Sequence, residues 1–145
     1  MTARRAACLA LLLAGTLSVP PGPLPRLARA EHQVEYRYIV LGYVTDAENR
    51  GRRGVRVELL REKTGFSYLG ETDTDGFYLI VARLGDESAG ETLRLRAEAH
   101  ATTLTVRFDP ADHTTERGTR VDFTGPRPVE SPRAFAGTLK RYLAQ

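Results

Sequence analysis

Gly70-Glu71-Thr72-Asp73-Thr74-Asp75-Gly76-Phe77-Tyr78-Leu79-Ile80-Val81 sets an acidic, glycine-closed bend directly before an unbroken apolar run. Asp75-Gly76 is a tight-turn dipeptide, because such turns need positive φ and Asp and Gly reach it at least cost. Phe77 to Val81 then reads as a strand covered on both faces. The whole stretch predicts a β-hairpin, with Phe66 to Thr72 as its outgoing arm and Phe77 to Leu84 as its return.

Working outward, the apolar period stays at two from Val34 onward, broken by turn clusters every eight to twelve residues or so, the spacing of a sandwich or barrel. Tyr36 to Val44 is rich in β-branched and aromatic residues and predicts the first core strand. Thr45 to Arg53 is a loop turning at Asn49-Arg50-Gly51. Val55, Val57 and Leu59 alternate with Arg56 and Glu58, one face buried and one wet, and Lys63-Thr64-Gly65 closes that strand. After a polar loop at Gly85 to Gly90, Leu93, Leu95, Ala97 and Ala99 are expected inside, with Arg94, Arg96, Glu98 and His100 in solvent. Leu104, Val106 and Phe108 continue that pattern past a break at Ala101-Thr102. Asp109 to Gly118 is a loop, and Val121 with Phe123 makes a last strand. About seven strands with no helix between them predict an all-β fold, an antiparallel Greek-key β-sandwich, since parallel pairing would demand long crossovers that are absent here.

The ends differ in kind. Arg4 and Arg5, the apolar run Ala6 to Leu17, and Ala28-Arg29-Ala30 before Glu31 form a signal peptide over residues 1–30. Cleavage is expected after Ala30, with a cut nearer Val19 or Pro20 and an uncleaved anchor as alternatives. The run is shorter than the roughly twenty apolar residues of a membrane span. Residues 31–125 hold the sandwich. Residues 126–145 hold a Pro-rich linker and a short amphipathic helix, N-capped at Ser131-Pro132, whose Phe135, Leu139, Tyr142 and Leu143 share one stripe. So short a helix is marginal alone and needs a surface to lie on, an edge of its own sheet being expected; otherwise it frays or docks on a partner.

The leader decides the charge. The full chain has 21 Lys plus Arg against 18 Asp plus Glu, but four of the bases (Arg4, Arg5, Arg26, Arg29) and none of the acids precede Glu31, leaving 17 against 18, or −1. The basic pI near 9.3 therefore belongs to the leader, and nucleic acid is not an expected partner. Cys8 also lies in the leader, without the surroundings of a lipidation site. The mature chain has no thiol and depends on its core.

Three strings carry a resemblance: Leu41-Gly42-Tyr43-Val44-Thr45-Asp46, Gly54-Val55-Arg56-Val57-Glu58-Leu59, and Thr72-Asp73-Thr74-Asp75-Gly76-Phe77-Tyr78-Leu79. Together they resemble the carboxypeptidase regulatory-like domain of the prealbumin-like (transthyretin-like) sandwich, over Tyr36 to Phe123. The resemblance implies an accessory or adhesive module rather than an activity. Transthyretin-related hydrolases share that sandwich, but this chain has Tyr43 where they place a His, Phe77 where they place an Arg, and ends Lys140-Arg141-Tyr142-Leu143-Ala144-Gln145 rather than in Tyr-Arg-Gly-Ser. The resemblance thus carries a scaffold without that chemistry.

The residues themselves point the same way. Asp73-Thr74-Asp75-Gly76 is half a calcium loop, lacking the downstream bidentate Glu, and is better read as turn chemistry. His32, His100 and His113 are scattered. Asp109, Asp112, His113 and Glu116 would gather around a metal only if their loop folded back. No nucleophile motif is present. Arg94, Arg96, Arg107 and Glu98 form a charged stripe suited to an anionic sugar or lipid headgroup, or simply a wet face. No catalytic, cofactor or metal residue is assigned. The expectation is a secreted or periplasmic, non-enzymatic module contacting a protein or glycan of the cell envelope, not integral to the membrane once its signal is removed. The alternative is a small periplasmic hydrolase or metal-dependent enzyme built on the 109–116 loop.

Overall fold

Strands that are apolar on alternate residues bury only one face, so two sheets of them must meet. In the computed structural model, which describes residues 36–145, they do. The leader, Cys8 and His32 lie outside the described residues. One sheet has the order β4 (Phe77–Arg83), β1 (Arg37–Thr45), β7 (Gly118–Thr124), β8 (Val129–Glu130); the other has β3 (Phe66–Glu71), β2 (Arg56–Arg61), β5 (Thr92–Ala97), β6 (His100–Thr105). Helix α1 (Phe135–Leu143) follows. The core of this β-sandwich-like fold interleaves Tyr38, Val40, Tyr78, Ile80 and Val121 of the first sheet with Val57, Leu59, Leu93, Leu95 and Leu104 of the second. Tyr78 keeps its hydroxyl satisfied there by donating to the Val121 carbonyl at 2.7 Å. Burial pushes its phenol well above the usual range and that of Tyr38 up to about 12.

The acidic bend is where sequence and structure part first. β3 and β4 lie in different sheets, so the stretch is not a hairpin but a corner between layers. Its local chemistry is as expected: Gly76 has φ +76, and the Asp73 carboxylate accepts the N–H groups of Asp75 and Phe77, each at 2.9 Å. Those bonds are identical in a hairpin and in an arch. What separates the arms is pairing elsewhere: β3 is held to β2 across the Lys63-Thr64-Gly65 turn, and β4 to β1.

A second correction concerns direction. β1 and β7 pair in parallel, Ile39 opposite Gly118 through Thr45 opposite Thr124, while the other strand pairs are antiparallel. The crossover rule constrains strands joined directly. Between β1 and β7 the whole second sheet intervenes and supplies the return path.

Third, Thr92 to Thr105 is two strands folded at Glu98-Ala99, with Ala97 opposite His100. Ala99 is exposed rather than internal, and His100 is half-buried rather than in solvent. The turn sits where the buried set changes from odd positions (Leu93, Leu95, Ala97) to even ones (Leu104, Val106). Glu98, at φ +52, supplies a left-handed conformation that usually falls to Gly or Asn, which hid the turn.

The apolar run of β4 is covered on both faces only at its start. Tyr78, Ile80 and Ala82 enter the core, Phe77 is buried on the opposite face, and Val81 is 47% exposed. That opposite face is roofed by α1. Phe135 and Leu139 pack on Ile39, Leu41 and Phe77, with Tyr43 and Leu79 at the margin. The helix therefore covers a sheet face, not an edge. Of its expected stripe, Tyr142 only leans on Phe77, ring centroids 5.0 Å apart, and Leu143 is 71% exposed. Ser131 is not a side-chain cap; its N–H donates to the Arg120 carbonyl, extending β8, and a 3-10 turn over Pro132–Ala134 precedes the helix. Among the described residues no helix is long and apolar enough to cross a membrane.

One ion pair ties the end of the second sheet together. Arg61 forks onto Glu91 at 2.7 and 2.8 Å, Lys63 adds a third contact at 3.1 Å, and the Glu91 side chain is only 10% exposed. The Arg61 guanidinium holds that carboxyl down to about 2, from 4.5. A depressed carboxyl stabilises the fold above its unfolded value and loses that contribution as pH falls from 4.5 toward 2. Glu91→Gln is expected to cost about 2 kcal/mol near neutral pH, discounted for the solvated Lys63 side. It should also flatten stability across that acid window. Urea unfolding at a series of pH values checks it; an unchanged slope between pH 4.5 and 2 rules the assignment out.

Candidate functional site

Two regions bring chemistry-bearing side chains together. The first is the 109–116 loop, where the four expected residues do not converge. Asp109 accepts the Ala111 N–H at 2.9 Å. Asp112 accepts the hydroxyl and N–H of Thr114 and the N–H of Thr115; the Thr115 hydroxyl first, and then these donors, hold its carboxyl well below the usual carboxylate range. His113 Nε2 is 2.8 Å from the Pro110 carbonyl and 3.4 Å from Asp86, and Glu116 pairs with Arg37. Among the described residues no group of three or more His, Cys, Asp or Glu side chains is placed to hold a metal ion.

What organises this loop is Arg117, which the sequence reading passed over. Its side chain is 2% exposed; it pairs with Asp86 at 2.8 Å, donates to the Asp112 carbonyl at 3.1 Å, and lies 4.0 Å over the Phe108 ring. A buried guanidinium held by a carboxylate, a carbonyl and a π face fixes the loop to the 3-10 turn at Asp86–Ser88. In the resulting small cavity, about 210 Å³ between Arg107 and Gly118, the three carboxylates of the lining are already engaged, Asp109 by the Ala111 N–H, Asp112 by Thr114 and Thr115, and Glu116 by Arg37. A carboxylate saturated with donors is a poor general base. Nothing in the sequence near Arg117 marks it, because its partner is thirty-one residues away.

The second region is the outer face of the sheet β3-β2-β5-β6. Here Arg94 pairs with Glu62 at 2.9 Å and Arg96 with Glu58, which also accepts from Ser67 at 2.7 Å. The expected stripe is therefore broken up: Arg94 and Arg96 sit in cross-strand pairs, Glu98 turns to Arg52, and Arg107 lies past the end of β6 beside the 109–116 loop. At one end lies a groove of about 400 Å³ between the 52–56 segment and the Glu98 turn. Arg52 forks onto Glu98 with both contacts at 2.6 Å. Thr72, buried at the corner, accepts the Val55 N–H and donates to the Arg52 carbonyl, so the backbone of this rim is tied down. Arg53 and Arg56 are exposed, and neither pairs with a carboxylate among the described residues. Glu71 is the cross-strand partner of Arg56 and forms no ion pair with it.

No family model and no curated protein matches the chain. Among solved structures, the dioxygenase domain of a dioxygenase–carbohydrate-binding protein fusion from the cellulolytic bacterium Streptomyces sp. SirexAA-E is similar at 17% identity and a TM-score of 0.39, over 66% of this chain and 75% of that one. At that distance the likeness transfers neither fold nor activity.

Proposed function

We propose that the chain is an exported, non-catalytic module that makes protein or carbohydrate contacts in the cell envelope. Export rests on the 1–30 signal peptide, cut after Ala30, and the module on its resemblance to the carboxypeptidase regulatory-like domain. In this reading the connections between the two sheets follow a Greek key.

The supporting observation is an asymmetry between the two broad faces. The sheet carrying β1 has its outer face roofed by α1, while the outer face of β3-β2-β5-β6 bears cross-strand ion pairs, the exposed Leu69 and an arginine-lined groove. A sheet face left uncovered is suited to contact, and its Arg94 and Arg96 are held by Glu62 and Glu58 rather than aimed at a reacting atom.

The test sets the protein against a panel of esters and lactams beside the Asp112→Asn/His113→Ala variant. Equal, background turnover by both is expected. An activity of the native chain that disappears with that pair would replace this reading with a hydrolase centred on the 109–116 loop.

A further inference from the structure

The arginines of the groove are of two kinds. Arg52 and Arg96 are each neutralised by a carboxylate within the groove, Glu98 and Glu58, whereas Arg53 and Arg56 are not. The six side chains thus carry four positive charges against two negative ones, and the surplus is concentrated on two guanidinium groups. We propose that this groove binds the carboxylates of an acidic polysaccharide, with Arg53 and Arg56 as the recognising groups. The inference rests on the binding-module reading above and names its ligand class.

The charge and form of the groove suit this class of ligand. A guanidinium is planar, permanently charged, and matches a carboxylate with two parallel N–H donors. The groove volume of about 400 Å³ falls within the range of small-ligand sites, roughly 300–1,000 Å³. The Arg52–Glu98 fork and the Thr72 bonds fix the backbone that presents Arg53 and Arg56, so little ordering accompanies binding. An acidic peptide would gain from adding a strand, but β2, which carries Arg56, is already paired on both sides by β3 and β5. A lipid surface would be met by protruding apolar groups, and the 46–54 loop that rims the groove has no large apolar side chain.

The probe is a polygalacturonate oligomer, with neutral dextran of the same length, polyglutamate, free sulfate and phosphatidylglycerol vesicles as comparison arms. Its affinity is compared across the native chain, Arg53→Glu/Arg56→Glu, and Arg127→Glu/Arg133→Glu, which makes the same charge change on the tail. Both variants are checked for folding by circular dichroism; Arg53 and Arg56 are exposed, so no loss of fold is expected. Reversing two exposed cations should weaken polygalacturonate binding about tenfold or more, with the tail variant unchanged and the native affinity falling as salt is raised. Absence of polygalacturonate binding, equal losses in both variants, or equal affinity for polyglutamate, sulfate or vesicles would each overturn the inference. Neutral dextran bound equally by all three proteins would overturn it too while leaving the binding-module reading intact; turnover lost with Asp112 and His113 would remove that reading itself.

Discussion

Gly76→Ala is expected to lose about 3 kcal/mol of stability or more, summing a left-handed residue that alanine resists by ~1–2 kcal/mol and an overlap costing ~1–3 kcal/mol. The residue has φ +76, and a Cβ there would stand 2.3 Å from the Val44 carbonyl oxygen and 2.8 Å from both the Arg52 nitrogen and the Gly51 Cα. Those neighbours are backbone and have no rotamer by which to withdraw. They belong to β1 and to the loop that leads from it into the second sheet, so the corner is packed against the backbone where the chain passes between layers. The Val44 N–H donates to the Gly76 carbonyl at 2.8 Å, and a Cβ on Gly51 would meet the Asp75 carbonyl at 2.1 Å. Gly76→Asn separates the two causes, because Asn tolerates positive φ yet still brings a Cβ. Equal losses for Ala and Asn in urea unfolding assign the effect to close approach, and a much milder Asn variant assigns it to φ. An alanine variant within 1 kcal/mol of the native chain would remove the corner from its place at the centre of the fold.

The bend was legible in the sequence as a bend and not as a corner, for a physical reason. Asp73, Asp75 and Gly76 report only what the backbone does over five residues, and that is the same whether the arms pair or part. Which strand lies beside which is set by apolar faces distant in sequence. Hence the alternation at Val57, Leu59, Leu93 and Leu95 located the core, while the parallel β1–β7 pairing went unseen. Register parity carried more than was read from it: the odd-to-even change between Ala97 and Leu104 marks a turn even where its residues, Glu98 and Ala99, do not look like one.

The candidate site was legible to a lesser degree. The cationic stripe was visible as Arg94 and Arg96, but cross-strand partners decide which arginines of the groove carry unmatched charge, and those are Arg53 and Arg56, in a loop and at a strand start. Arg117 was invisible for the converse reason. A buried charge is recognised by its partners, and Asp86 and Phe108 reach it through the fold rather than through spacing.

Replacing Phe135 and Leu139 together by alanine is expected to cost roughly 4–7 kcal/mol, since each truncation of a buried side chain costs ~2–5 kcal/mol and neighbours in one cluster fall short of additivity. Both are 5% exposed, and both pack on Ile39, Leu41 and Phe77. These belong to a sheet whose other face already forms the core, so β1 is apolar on both sides and has no solvated face to fall back on. Without the helix contacts, a patch of aliphatic and aromatic side chains meets water on a small domain whose total stability is of the order of 5–15 kcal/mol. Polar contacts will not hold the helix in place alone: Arg120, itself paired with Asp122 on the same strand, donates to Thr138 at 3.0 Å, and such a contact is worth about 1 kcal/mol. Leu143→Ala, at a side chain 71% exposed on the same helix, is the matched comparison and should change stability by less than about 0.5 kcal/mol. If urea unfolding finds the double variant as stable as Leu143→Ala, then α1 is an ornament on the sheet and β1 tolerates an open apolar face.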